Sequence, residues 1–236
     1  MAPQRQHTAA GRLTCLALPI DSFRVVYSNQ MEITLVRHGQ SEHNAGLTDF
    51  LDSPLTPLGQ EQAERTAQKL KDESITRGFV SPLLRTLQTM SPIARLGQFP
   101  VNIEPQLHEY FSTDLYHKFP GMTLESIRSK FPFCSLPETH TLSDPWWGQE
   151  IEGALAIYAR CEGFRDYVAA HFAQESHILI VSHAETVGRL IEAFQYVGPN
   201  FEGPPWSDNC GVSRLIWADP GKPAVVRYIN DVSHLS

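Results

Sequence analysis

The chain has 236 residues, 42% of them hydrophobic and 19% charged, which suits one large α/β domain or at most two small ones. A formal net charge of -7 argues against a nucleic-acid-binding surface, which needs a basic patch or stripe. No apolar run approaches the ~18 residues that span a bilayer, so an integral membrane protein is excluded.

Cys15, Cys134, Cys161 and Cys210 stand apart, without CxxC pairs or metal-ligand spacing. They read as reduced, packed thiols of a cytoplasmic protein. Residues 1–30 differ from the rest. Arg5 and Arg12 precede an apolar stretch, Leu13 to Ile20, broken by Thr14 and Pro19 and lacking a cleavage site. We read this segment as an N-terminal arm, with Phe23 to Tyr27 as a candidate edge strand. A weak targeting segment and a functional start at Met31 are the alternatives.

From Met31 onward the elements sharpen. Ile33 to Arg37 is a short apolar run typical of a strand buried on both faces. Thr56-Pro57 offers an N-cap and a first-turn proline, with Leu58, Ala63, Ala67 and Leu70 marking one face of the helix that follows. Phe79-Val80 is a strand, and Ser81-Pro82 opens a second helix with the same cap chemistry. Val101 to Ile103 and Ile178 to Val181 are further strands. Between them lie a loop-rich stretch, Tyr110 to Gln149, and a helix from about Ile151 to Phe172. Ser213 to Trp217 and Val225 to Ile229 flank Asp219-Pro220-Gly221, a hairpin signal. The alternation predicts a three-layer α/β/α domain over 31–236, with a mostly parallel central sheet and a cap inserted at about 110–150.

Ligands of open α/β sheets bind beyond the carboxyl ends of the strands. Three such ends carry cations or imidazoles: Arg37-His38-Gly39, Ser81 through Arg85, and Ser182-His183-Ala184. Two arginines and two histidines on one edge form a pocket for a dianion, because guanidinium forks match phosphate oxygens. Such a pocket is locally basic against an acidic background and draws phosphate toward it.

These residues sit in a recognisable series. Leu35-Val36-Arg37-His38-Gly39 is followed by Ser41-Glu42 and Asn44, then by Pro54 to Gly59 and Ser81 to Thr86. Leu107-His108-Glu109, Val181 to Glu185, Asn209 and the terminus Asn230 to Leu235 complete it. The series resembles the histidine phosphatase superfamily, in its phosphoglycerate-mutase-like branch and with a fungal-type phosphatase cast. The resemblance implies that His38 is a nucleophile that becomes a phosphohistidine, oriented by the carbonyl of Gly39. It further implies that Arg37, Arg85 and His183 hold the phosphoryl oxygens, that Asn44 and the Ala184 amide add donors, and that Glu109 is the proton donor. No metal or other cofactor is required, and the partner is a small-molecule phosphate ester.

Duller readings apply elsewhere. His43, His108 and His177 are expected to be structural, and Glu185 to favour a helix N-terminus. Glu109 also reads as a solvated loop acid, with Glu104 and Glu125 nearby. No basic residue follows Glu109 directly, which favours a phosphatase over a mutase. Tyr116, Phe119, Phe131, Phe133, Trp146 and Trp147 either pack the inserted segment onto the sheet or line a pocket for a hydrophobic or aromatic phosphate ester. The alternatives are a mutase-type phosphoryl transferase, a specialised diphosphate or secondary-metabolite phosphatase, and a phosphate-binding pseudoenzyme. The sequence leaves the oligomeric state open.

Overall fold

The computed structural model describes residues 30–110, 121–136, 146 and 152–236. The expected edge strand Phe23 to Tyr27 lies outside these residues, as do Cys15, Tyr116, Phe119 and Trp147. Seven strands form one sheet: β1 (Met31–Arg37), β2 (Arg77–Val80), β3 (Val101–Ile103), β4 (Cys134–Ser135), β5 (His177–Ser182), β6 (Val212–Trp217) and β7 (Val225–Asp231). Their order is β4-β3-β2-β5-β1-β6-β7. The first five run parallel, while β6 is antiparallel to both β1 and β7. Among the described residues, five α-helices pack on it: α1 (Pro57–Leu70), α2 (Leu84–Gly97), α3 (Leu124–Lys130), α4 (Ala154–His171) and α5 (Ala184–Phe194).

The central strands are apolar throughout because both faces are covered. Ile33 and Leu35 of β1, with Ile178 and Ile180 of β5, turn to one side and pack with Ile157, Phe164 and Val168 of α4 and Val187 and Leu190 of α5. Val36, Leu179 and Val181 turn the other way, onto Ala67 and Leu70 of α1 and Leu87, Met90 and Ile93 of α2. This period-two division makes the three layers.

Four details differ from the sequence reading. Thr56 does cap α1, its hydroxyl accepting the Gly59 N–H at 3.0 Å, but Leu58 is 49% exposed. The buried stripe is Gly59, Ala63, Thr66, Ala67 and Leu70, and Leu58 lies off it by the 100° per residue of a helix. Ser81-Pro82 does not cap α2. That helix begins at Leu84, whose N–H donates to Asp52 Oδ1 at 2.6 Å, so its first turn is satisfied from a distant loop. α4 begins at Ala154 after an extended Gly153, with Glu152 held by Arg160 at 2.8 Å. The stretch after Tyr110 is not all loop: it contains α3, capped by Thr123, and β4, which extends the sheet beside β3. Phe131 and Phe133 pack against that side of the core, and buried Trp146 donates its Nε1–H to the Met122 carbonyl at 3.0 Å.

The register fixes the site. Arg37 lies opposite Ser182, and Val80 opposite Val181, so β1, β2 and β5 end level with one another. Backbone bonds carry the alignment one residue further, His38 N–H to Ser182 O at 2.9 Å and Ser81 N–H to Val181 O at 3.2 Å. The chain then turns beneath α1. A Cβ on Gly59 would collide with the Gln40 carbonyl oxygen, so only glycine lets the loop after His38 lie this close to the helix.

Candidate active site

At the common strand end, His38 is buried and its two ring nitrogens have different partners. Nδ1 lies 2.7 Å from the Gly39 carbonyl oxygen, which can only accept, so Nδ1 carries the proton. Nε2 receives the Arg85 Nε–H at 3.1 Å and therefore keeps its lone pair. The tautomer is thus set from both sides, with the Nε2 lone pair facing a guanidinium. Burial, then Arg85 and Arg37, hold the His38 pKa well below the ordinary imidazole value, while the Gly39 bond opposes them. His38 is therefore held neutral at neutral pH.

His183 follows β5 and serves as the N-cap position of α5. Its ring meets that of His38 edge-on, with centroids 5.1 Å apart. Nε2 lies 2.8 Å from the Ser81 hydroxyl, and Nδ1 is buried without a partner. Arg37 donates Nη1–H to the Ser207 carbonyl at 2.7 Å, leaving its buried Nε–H likewise unpaired. Arg85 is anchored through Nη1 to the Leu51 carbonyl at 2.6 Å. Burial lowers the pKa of each arginine, but a guanidinium stays charged in proteins. Two buried cations and two orphaned buried nitrogens converge on one place, the arrangement expected of an oxyanion cradle.

Glu109 faces this cradle. It follows a 3-10 turn, Pro105–Leu107, pinned by Ser182 Oγ–H to the Leu107 carbonyl and Thr186 Oγ1–H to the His108 carbonyl, both at 2.8 Å. Burial pushes the Glu109 carboxyl above its ordinary value, against the Tyr110 N–H and the charges of Arg85, Arg37 and Arg160. A carboxyl whose hold on its proton is strengthened by burial, beside two cations, suits a general acid. Glu104 is occupied as a cap, its Oε1 accepting the Gln106 N–H at 3.0 Å, and Glu125 sits in the first turn of α3.

The other expected residues fall at the margin. Asn44 is exposed and meets the site through Asn209, whose Nδ2–H reaches Asn44 Oδ1 at 3.4 Å and the His38 carbonyl at 3.0 Å. Ala184 is the first residue of α5, beside His183. His43 is exposed with Nδ1 3.2 Å from the Thr48 carbonyl, His177 lies 2.7 Å from the Thr34 hydroxyl, and Glu185 pairs with Arg189 at 2.8 Å. Sequence reasoning missed Ser81 as the partner of His183 and the Trp206–Asp208 segment against Arg37. A Ser-Pro pair reads as a helix cap, which hid the first. The second carries no local signal.

His108 is buried, and its Nδ1–H donates to the Glu109 carbonyl at 2.7 Å. Burial, with Arg160 second, lowers its pKa to about 3. An unfolded imidazole titrates near ~6.5, so between that value and about 3 the unfolded chain binds the extra proton. Stability is therefore full above pH ~6.5 and falls steadily below it. Urea unfolding from pH 7 to 4 is expected to give a midpoint that drops with acid, and a shallower drop in His108→Asn. Equal slopes in the two proteins would contradict the assignment.

Among the described residues, one carboxylate–imidazole cluster, Glu32, Glu73 and His177, has the spacing to hold a metal ion. Arg214 Nη1 already lies 3.0 Å from a carboxylate oxygen of each glutamate, so a guanidinium balances that charge.

The comparisons with known proteins agree with this geometry. Residues 33–231 match the model of the histidine phosphatase superfamily, branch 1. A relative from Photorhabdus laumondii subsp. laumondii, named "Probable phosphoglycerate mutase GpmB", is 31% identical over 212 residues, covering 87% of this chain and 95% of that protein. The α-ribazole phosphatase from Shigella flexneri superposes with a TM-score of 0.62 at 25% identity, covering 85% of this chain and 96% of its own. The mycobacterial glucosyl-3-phosphoglycerate phosphatase, solved with VO3, shares the fold with a TM-score of 0.64 at 18% identity, covering 85% and 99%. With a family model matched over residues 33–231, the chain belongs to the histidine phosphatase superfamily.

Proposed function

We propose that the protein hydrolyses a phosphate monoester through a phosphohistidine, with no metal ion in the chemistry. The observation that carries this reading is the His38 ring: proton fixed on Nδ1 by Gly39, lone pair on Nε2, and two arginines where phosphoryl oxygens would sit. In the first step Nε2 attacks phosphorus and the ester P–O bond breaks. Glu109 gives its proton to the departing oxygen, while Arg37, Arg85 and His183 bind the equatorial oxygens. In the second step water attacks the phosphohistidine, Glu109 takes the water proton, and the P–N bond breaks to free inorganic phosphate and His38. The Asn44 side chain and the Ala184 amide supply further donors at the margin. Three buried thiols, Cys134, Cys161 and Cys210, each with a pKa pushed up to about 12 by burial, fit a reducing cytoplasm. Among the described residues no helix is long and apolar enough to cross a membrane.

A mutase uses the same first step and differs in what accepts the phosphoryl group. That second reading is favoured by the relatives named for phosphoglycerate mutase. Incubation with an aryl phosphate in EDTA and, separately, with 3-phosphoglycerate decides between them. We expect phosphate release from the aryl ester and little 2-phosphoglycerate. Accumulation of 2-phosphoglycerate ahead of free phosphate would replace the phosphatase reading with the mutase one.

A further inference from the structure

Trp206 is 65% exposed, yet several contacts fix where it stands. Pro204 and Pro205 precede it and lie against α5 at Gly188, where a Cβ would come within 2.5 Å of Pro204 Cβ. On the far side Asp208 acts as a bracket. Its Oδ1 accepts the Trp206 Nε1–H at 3.1 Å, and its Oδ2 accepts Asn230 Nδ2–H at 2.8 Å. The Asp208 N–H returns a bond to Asn230 Oδ1 at 2.8 Å, and Asn230 takes a left-handed backbone, φ 56°, to reach it. Between them the Ser207 carbonyl holds Arg37 Nη1.

The indole that results lies over the Arg37 guanidinium, 5.3 Å from Cζ to ring centroid. A cation on a tryptophan face is a favourable contact, but it uses only one face. Burial would hide a ring of this size; here prolines, a bracket and a strained asparagine hold it in solvent beside a phosphate-binding cation.

We infer that Trp206 is a specificity-determining residue whose free face stacks on a planar aromatic group carried by the ester side of the substrate. The inference rests on the phosphatase reading, since it names the substrate class of the same site. With Arg37 Cζ 5.3 Å from the ring centroid, a phosphoryl group held by that guanidinium would lie beside the indole. An aromatic alcohol can lie against that ring, whereas glycerol presents no face to it. Arg37 remains the phosphate ligand in both cases, so a change at Trp206 divides the two substrates rather than removing binding.

The test is the ratio of kcat/KM for phenyl phosphate to that for glycerol phosphate, measured on wild type, Trp206→Ala and Trp206→Phe. Stacking of one ring predicts that the alanine variant loses about tenfold in the ratio, mostly through KM. The phenylalanine variant is expected to recover most of it. Equal losses on both esters would reduce Trp206 to a clamp on Arg37 and overturn the inference, as would an unchanged ratio. Calorimetry with phenylphosphonate and methylphosphonate reads the same preference without turnover. A wild type that hydrolyses neither ester but binds phenylphosphonate in a Trp206-dependent way would overturn the phosphatase reading and leave the stacking assignment standing.

Discussion

Replacing His38 by alanine is expected to lower phosphate release by about 10⁴-fold or more, because the group proposed as the nucleophile is removed. The effect exceeds that of losing one cradle donor, which costs about 10²–10³-fold. His38 also receives the Arg85 Nε–H and donates to Gly39, so the alanine variant leaves two buried groups unpaired. His38→Asn keeps a polar side chain there and controls for folding, with circular dichroism and melting compared against wild type. A folded His38→Asn protein that retained more than a few per cent of activity would end the phosphohistidine account.

The second large effect concerns Glu109, whose two proposed proton transfers are separable by the choice of leaving group. With glycerol phosphate, Glu109→Gln is expected to slow turnover by about 10²–10⁴-fold, since the alkoxide leaves poorly without a proton. With p-nitrophenyl phosphate the phenolate leaves almost unaided, so the first turnover survives while attack by water does not. The rapid-quench record should show a burst of one nitrophenolate per active site followed by a slow phase. The pH profile follows the same logic. The acid must be protonated when the ester binds, and burial raises its pKa, so wild-type activity on glycerol phosphate falls as pH rises through that raised value. His38 imposes no matching acid limb near neutrality, because its pKa is held well below the ordinary value. Glutamine should abolish the alkaline limb. A limb that persisted, or equal losses on both esters without a burst, would assign the proton transfer elsewhere.

Legibility of the fold followed burial on both faces of the sheet. The runs Ile33 to Arg37 and Ile178 to Val181 are apolar without alternation because α1 and α2 cover one side and α4 and α5 the other. Once those strands were placed, Arg37, His38 and His183 fell at their ends by chain order alone. Glu109 needed more: its position depends on the turn at Pro105–Leu107 and on two hydroxyl bonds from β5 and α5, none of which has a local pattern. The cap of α2 was misread because a Ser-Pro pair is equally compatible with capping and with a hydroxyl used by His183. The actual partner, Asp52, is 32 residues away from Leu84 in sequence. Leu58 was assigned to the buried face because it is apolar, although the helical period excludes it. Trp206 was invisible for the opposite reason. A single exposed tryptophan after two prolines looks like a surface loop, and only the guanidinium beneath it gives the ring a role.

The central claim is that the phosphoryl group rests on His38 Nε2 between two displacements. Wild-type enzyme quenched into alkali during turnover of p-nitrophenyl phosphate, then digested and mapped by mass spectrometry, tests this directly. The account predicts phosphate, at most one per chain, on the peptide carrying His38, stable to alkali and lost in acid. Phosphate on any other residue, or a chain that turns over substrate with no trapped phosphate even in Glu109→Gln, would contradict it.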